Sequence, residues 1–380
     1  MTPTIPRIRL LVLIALAAIA LLAGGFSAQP ATASSAPLGK PVKIEQLPAA
    51  LWLPNTAKAY RVHYVSTGQN GKQTVVSGAV FIPTGKAPKK GWPVVSWGHG
   101  TVGIADNCAN SIAGRSARDT NYLGALLGAG YAVVSSDYEG FGTPGTHLYL
   151  YGKSEGYGII DMVRAARKVD SSLSRTWLAV GQSQGAQGVL FAGAMEHKYA
   201  PELDFRGTIA TAPPTQFRDT IASYTAFGPA APVIPNFFLV FPVVEAAHPG
   251  KFEADDYVTP AGKELMTRAE QTDCYTALAV ASAGKTNGDY FDVSLGEYQK
   301  VAELFIPNAE IPIVKHHEPL FIAQGTLDTV VSPEAAELTA DRLRAKGNDV
   351  TFKSYPGVDH LGLMPAALQD VLAFADDLVH

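Results

Sequence analysis

Trp177-Leu178-Ala179-Val180-Gly181-Gln182-Ser183-Gln184-Gly185-Ala186-Gln187-Gly188-Val189-Leu190-Phe191 is the stretch on which the fold turns. Trp177 to Val180 is a short apolar run that reads as a buried strand. From Ala186 onward, small and apolar residues recur at helical spacing. The G-x-S-x-G pentapeptide Gly181–Gly185 lies between them, in the strand–turn–helix context of a nucleophile elbow. Such a turn strains the serine backbone and tolerates only small residues two positions to either side, which the glycines supply. It would lift Ser183 Oγ above the sheet edge. The Gln184 N–H, at the helix start, would then point toward a developing oxyanion. A glycine-rich βα turn with an inert serine would show the same letters, so the partners of Ser183 have to be found elsewhere.

A nucleophilic serine needs a base, and the base needs an orienting acid. On this kind of sheet the chain order is Ser, then Asp or Glu, then His. Pro319–Gln324 reads as a strand, followed by the loop Gly325–Val331, which places Asp328 just past a strand's carboxyl end. Ala335–Lys346 reads as a helix and Val350–Tyr355 as a strand. His360 then lies in the loop Gly357–Gly362, ahead of a final helix near Pro365–Val379. Asp359 is too near in sequence to face His360 well, and Glu318 precedes its strand at the wrong edge. His316-His317-Glu318 resembles a metal cluster only locally. Adjacent loop histidines are expected to be solvated, and no further ligand spacing supports zinc, so no metal is assigned. His63, His197, His248 and His380 have no motif around them and read as surface or structural residues. The second oxyanion donor is expected from the loop after the third strand, Pro93–Trp97. His99, Gly100 and Thr101 are the candidates there, and the His99 side chain reads as a loop brace rather than a base.

The wider chain alternates strand and helix. Ala59–Ser66 and Thr74–Ile82 read as a hairpin turned by Gln69-Asn70-Gly71-Lys72. Strands follow at Val94–Trp97, Tyr131–Ser136, Trp177–Gln182, Phe205–Ala212, Leu320–Gln324 and Val350–Tyr355, with helices such as Gly156–Val169 between them. This predicts an α/β fold with a mostly parallel sheet and helices on both faces. From about Thr215 to Ile313 the rhythm breaks, and the extra length predicts an inserted cap. The expected division is core over residues 34–214, cap over 215–313 and core again over 314–380. The apolar run Ala231–Val244 lies inside the cap. One of Phe237, Phe238 and Phe241 is expected to face an acyl pocket, and the other two to pack in the cap's own core.

Four of these motifs together resemble the secretory lipase family of α/β-hydrolases, which includes the yeast lipase A type and secreted bacterial homologues. They are Gly98-His99-Gly100-Thr101, the stretch Asp137-Tyr138-Glu139-Gly140-Phe141-Gly142-Thr143-Pro144-Gly145, the Gly181–Gly185 elbow, and the Asp328 and His360 loops. The resemblance runs from Leu47 to the C-terminus. It implies hydrolysis of lipid or other acyl esters and an insert that lids the acyl site. The yeast type carries an acidic residue near the position of His99, so the side-chain part of its oxyanion hole does not carry over. Export would expose Cys108 and Cys274 to an oxidising environment, where a disulfide or two separate thiols are the alternatives. The resemblance favours the disulfide.

Composition fits this class. The chain has 380 residues, 47% apolar and 17% charged, with a formal charge of −4. It is long enough for one enlarged domain and shows no nucleic-acid footprint. Arg7 and Arg9 precede the apolar run Leu10–Leu22, and Ala31-Thr32-Ala33 has the small-x-small form of a signal-peptidase site. The run is shorter than the roughly 20 residues that span a bilayer. A leader over residues 1–33, cleaved near Ala33, and a secreted protein are expected. The expected substrate is a small-molecule or lipid ester, with no cofactor and no stable protein partner. An acyltransferase or serine peptidase would use the same three residues, and a non-catalytic lipid-binding protein would need none of them.

Overall fold

The computed structural model describes residues 36–219, 228–292 and 295–379. The expected leader and His380 lie outside them. The strands are β1 (Pro41–Gln46), β2 (Thr56–Thr67), β3 (Gln73–Pro83), β4 (Trp92–Gly98), β5 (Ala132–Ser136), β6 (Leu173–Gln182), β7 (Asp204–Thr211), β8 (Leu320–Gly325) and β9 (Val350–Tyr355). They form one nine-stranded sheet in the order β1-β2-β3-β5-β4-β6-β7-β8-β9. The pairs from β1 to β5 are antiparallel, and those from β5 through β4 to β9 are parallel. The hairpin closes at Thr67↔Gln73, with Gly71 at φ +75° supplying the turn. β1 escapes the sequence reading because it is an edge strand whose apolar Val42 and Ile44 are exposed, so it has no inward apolar period. The strand counted third from the sequence is therefore β4.

The helices are α1 (Asn110–Ala113), α2 (Ala117–Gly128), α3 (Gly152–Val169), α4 (Gln184–Tyr199), α5 (Phe237–Ala247), α6 (Pro260–Gln271), α7 (Tyr275–Ala281), α8 (Asn287–Tyr290), α9 (Leu295–Ala309), α10 (Pro333–Ala345) and α11 (Leu363–Val379). Alternate strand residues feed two cores. Val94, Val134 and Ala179 pack with Ile159 and Met162 of α3, Val189 and Leu190 of α4, and Leu343 of α10. Val95, Val133, Leu178 and Val180 pack on the other face with Leu123 and Leu126 of α2 and Met364 and Val371 of α11. This two-sided wrapping is the α/β-hydrolase architecture expected from the alternation.

Between β7 and β8 a third apolar cluster forms from α5, α6, α8 and α9. Phe238, Leu239, Phe241, Leu265, Tyr290, Val301 and Phe305 belong to it, together with Tyr149, Leu150 and Tyr151 of the core. This cap therefore has its own interior and shares part of it with the loop after β5. Among the described residues no helix is long and apolar enough to cross a membrane. The chain swaps the sequential order of β4 and β5 and returns to place β6 beside β4. Crevices at the carboxyl ends of strands flanking such a switch are where open α/β sheets build sites. The loops after β4 and β6 meet there.

Candidate active site

Ser183 caps the N-terminus of α4 at φ +55° and ψ −124°. A non-glycine backbone in this region costs about 1–3 kcal/mol and persists only where the surroundings fix it. Ser183 N donates to Thr211 O at 2.9 Å, and Ser183 O accepts from Ala186 N at 2.8 Å. The glycines are required by contact. A Cβ on Gly181 would collide with Gly185 O, and one on Gly185 would collide with Gly98 O. Gly98 pairs with Gly181 across the sheet. Three glycines therefore let β4, β6 and the start of α4 close on one another beneath the serine.

Asp328 and His360 come from the loops after β8 and β9, which are parallel neighbours. His360 Nδ1 donates to Asp328 Oδ2 at 2.7 Å. Oδ2 also accepts from Gln324 Nε2 at 3.0 Å, and Oδ1 accepts from Val330 N and Val331 N, each at 2.9 Å. Burial alone would raise the Asp328 carboxyl. The hydrogen bonds from His360 and the two loop N–H groups outweigh it and hold the group below the usual carboxylate range. The imidazole thus carries its proton on Nδ1 and presents Nε2 as an acceptor. Nε2 lies 3.1 Å from Gln182 Nε2.

Gly100 and Thr101 line the cavity beside Ser183, as Gln182 does, but His99 is not on its wall. The His99 ring packs at a tilt against Tyr138, 4.4 Å between centroids, and its Nδ1 donates to Gly100 O at 2.8 Å. The His99 side chain thus braces the loop, and of the three candidate donors Gly100 and Thr101 reach the cavity wall. Gln184 is the first residue of α4, where a backbone N–H has no partner within the helix.

The cavity over Ser183 has a volume of about 1240 Å³. Gln182, Arg118, Asp119 and His360 line its sheet side, and Phe217, Ile234, Val240, Val301 and Phe305 its cap side. Phe237 and Phe241 both line it, and Phe238 does not. Phe238 is fully buried against Tyr290 and Phe291 at ring distances of 5.2 Å. The expectation of one pocket-facing phenylalanine is corrected to two. In a helical turn, positions 237 and 241 share a face and 238 is rotated off it.

A buried polar layer holds this site from below. Gln184 Nε2 donates to Glu155 Oε1 at 2.8 Å and faces His147 Nε2 at 3.0 Å. Leu150 N donates to the same carboxyl oxygen at 3.0 Å. Desolvation pushes the Glu155 carboxyl up to about 8 and pulls the His147 imidazole down to about 3. Both are neutral near pH 7. The Asp137–Gly145 stretch serves the same layer. Asp137 accepts from Ser77 Oγ at 2.7 Å and Ser111 N at 3.0 Å, and the Tyr138 hydroxyl donates to His99 O at 3.0 Å.

Cys108 and Cys274 form a disulfide with Cα atoms 5.5 Å apart. It ties the loop after β4 to the start of α7, where Tyr275 N donates to Val102 O at 2.9 Å. His316 is buried rather than solvated and sits against Gly193, whereas His317 is exposed and stacks on His197 at 3.9 Å. Among the described residues no group of three or more His, Cys, Asp or Glu is placed to hold a metal ion.

The family model of secretory lipases matches residues 109–377. The chain belongs to the secretory lipase family. Lipase A of Moesziomyces aphidis is 24% identical over 367 residues, covering 90% of this chain and 77% of that protein. A Mycobacterium tuberculosis protein named a probable inactive lipase is 23% identical over 346 residues, 86% of this chain and 74% of its own. Among solved structures, Candida antarctica lipase A in its closed state matches with a TM-score of 0.71 at 20% identity, covering 90% of this chain and 84% of that one. The rice cell wall degrading esterase LipA from Xanthomonas oryzae matches at 0.73 and 18%, covering 90% and 99%. At these identities the structural likeness shows the fold.

Sequence reading of this secretory lipase family member missed Gln182, Gln324, Glu155 and His147. The first is the variable letter of G-x-S-x-G, and nothing in the motif marks where its side chain goes. Glu155 did leave a trace, because it continues the Ile159, Met162, Val163 and Ala166 face of α3 and is itself buried. An acid on an apolar stripe is a signal for a buried carboxyl.

Proposed function

We propose that this chain is a serine carboxylic-ester hydrolase, a lipase or esterase acting on acylglycerols or other medium-to-long acyl esters after export and removal of its leader. The observation that carries the proposal is the 2.7 Å bond from His360 Nδ1 to Asp328, with His360 and Ser183 both lining one cavity. Family membership supports it. Ser183 Oγ attacks the ester carbonyl while His360 Nε2 takes its proton. Asp328 holds the tautomer and stabilises the imidazolium. The Gln184 N–H and the Gly100–Thr101 backbone receive the oxyanion. Collapse of the adduct breaks the ester C–O bond, and His360 returns its proton to the leaving alcohol. Water, activated by His360, then hydrolyses the acyl-enzyme. The cavity exceeds the about 300–1,000 Å³ usual for small-ligand sites, and its aromatic cap side suits an acyl chain.

A non-catalytic acyl-binding protein is the rival, favoured by the relative named a probable inactive lipase and by the amide that meets His360 Nε2. Turnover of p-nitrophenyl esters from acetate to palmitate decides between them. Hydrolysis by the native chain is expected, with Ser183→Ala lowering kcat at least about 10³-fold and His360→Ala about as much. No turnover by the folded native chain, or full turnover by Ser183→Ala, would remove the proposal.

A further inference from the structure

The proton acceptor that the proposed nucleophile needs is already occupied. His360 Nδ1 is bonded to Asp328, so Nε2 is the accepting nitrogen, and the Gln182 amide donates to it at 3.1 Å. The orientation of that amide is fixed from its other end. Gln182 Oε1 accepts from Arg118 Nη2 at 3.4 Å, and Arg118 is held by Asp119 at 2.9 Å. Turning the amide over would set its oxygen against the Nε2 lone pair and its NH₂ against the guanidinium, and both contacts repel. Asp119 is buried and its backbone N–H is capped by Ser116 Oγ at 3.1 Å, so the chain has a fixed anchor. Among the described residues, Ser183 Oγ makes no hydrogen bond to His360.

Gln182 is also placed where an incoming ester must pass. A Cβ built on Gly100 would lie 2.6 Å from Gln182 Oε1 and 3.7 Å from Ser183 Cβ. The amide therefore covers the oxyanion loop and reaches the base from there. It lines the cavity that the acyl chain would fill.

We propose that Gln182 is a latch: its amide holds His360 Nε2 in the resting protein, and an ester that fills the cavity displaces it, freeing the imidazole to accept from Ser183. This rests on the proposed role of His360 as base. Displacement costs the bond to Nε2, and every ester meets that cost alike. The latch thus makes Gln182 a positioning residue that acts through His360 and lowers kcat/KM by one factor on short and long esters.

Gln182→Met keeps the length of the side chain and removes its donor. Its kcat/KM on p-nitrophenyl acetate and on a long-chain ester, and its rate of labelling by a small fluorophosphonate, are expected to rise together by about fivefold, the worth of one neutral hydrogen bond. A purely structural role would lower all three. Should Gln182→Met fold poorly, Gln182→Ala is expected to show the same rise. Unchanged or lowered rates in a folded variant that is still labelled overturn the latch alone. If neither the native chain nor the variant is labelled, the hydrolase proposal falls and the latch with it.

Discussion

Glu155 shows how a single residue can couple the elbow to pH. It is fully buried beneath α4 and accepts from Gln184 and from the backbone of Leu150. Desolvation raises its carboxyl from 4.5 to about 8. Between these values the folded chain keeps a proton that the unfolded chain has released, so the group erodes stability as pH rises from 4.5 toward 8. Glu155→Gln reproduces the protonated shape and cannot ionise. Its stability relative to the native chain is expected to grow with pH across that window, by up to about 1.4 kcal/mol per unit. Urea midpoints at pH 5 and pH 8 measure this, and parallel midpoints for the two proteins would contradict it. At this scale the His360–Asp328 contact was legible because spacing and chain order restrict the two residues. Gln182 was not, since only the fold shows that its amide reaches a residue 178 positions away.

At the scale of elements, β4, β5 and β8 were read nearly to their observed ends because both faces are buried and each is a mostly apolar run. The edge strand β1 carried no such run. In the expected cap the sequence showed an apolar run without showing that it is a helix or which face looks down. The structure assigns α5 two faces, with Phe237 and Phe241 toward the cavity and Phe238 inward. Phe237, half-buried on the cavity wall, is the better probe of the two. Phe237→Glu is expected to depress kcat/KM on long esters at least about tenfold more than on acetate, since an unpaired carboxylate against an acyl chain costs several kcal/mol. Phe238→Ala belongs to another class. It leaves a void between Tyr290 and Phe291 and is expected to destabilise the protein by about 3–5 kcal/mol without altering the chain-length ratio. Thermal melts beside ester panels separate the two. Equal losses on short and long esters for folded Phe237→Glu would place the acyl chain elsewhere.

For the whole molecule, the segment between β7 and β8 and the loop after β4 are tied to one another through Cys108–Cys274. The bond closes a sequence separation of 166, which by loop-closure entropy contributes on the order of 5 kcal/mol. It also fixes Val102 and Gly103, next to the proposed oxyanion backbone, against the start of α7. Replacing both cysteines by serine should lower the urea midpoint and weaken turnover on every ester. An unchanged midpoint, or two alkylatable thiols in the native protein, would contradict this. The turnover expectations all depend on the proposal that Ser183 is a working nucleophile. Mass mapping after exposure to a fluorophosphonate tests that claim most directly. The proposal predicts one stoichiometric adduct on the peptide containing Ser183, absent in Ser183→Ala and strongly slowed in His360→Ala. An unmodified Ser183 in the folded native chain, or an adduct on another residue that persists in Ser183→Ala, would contradict it.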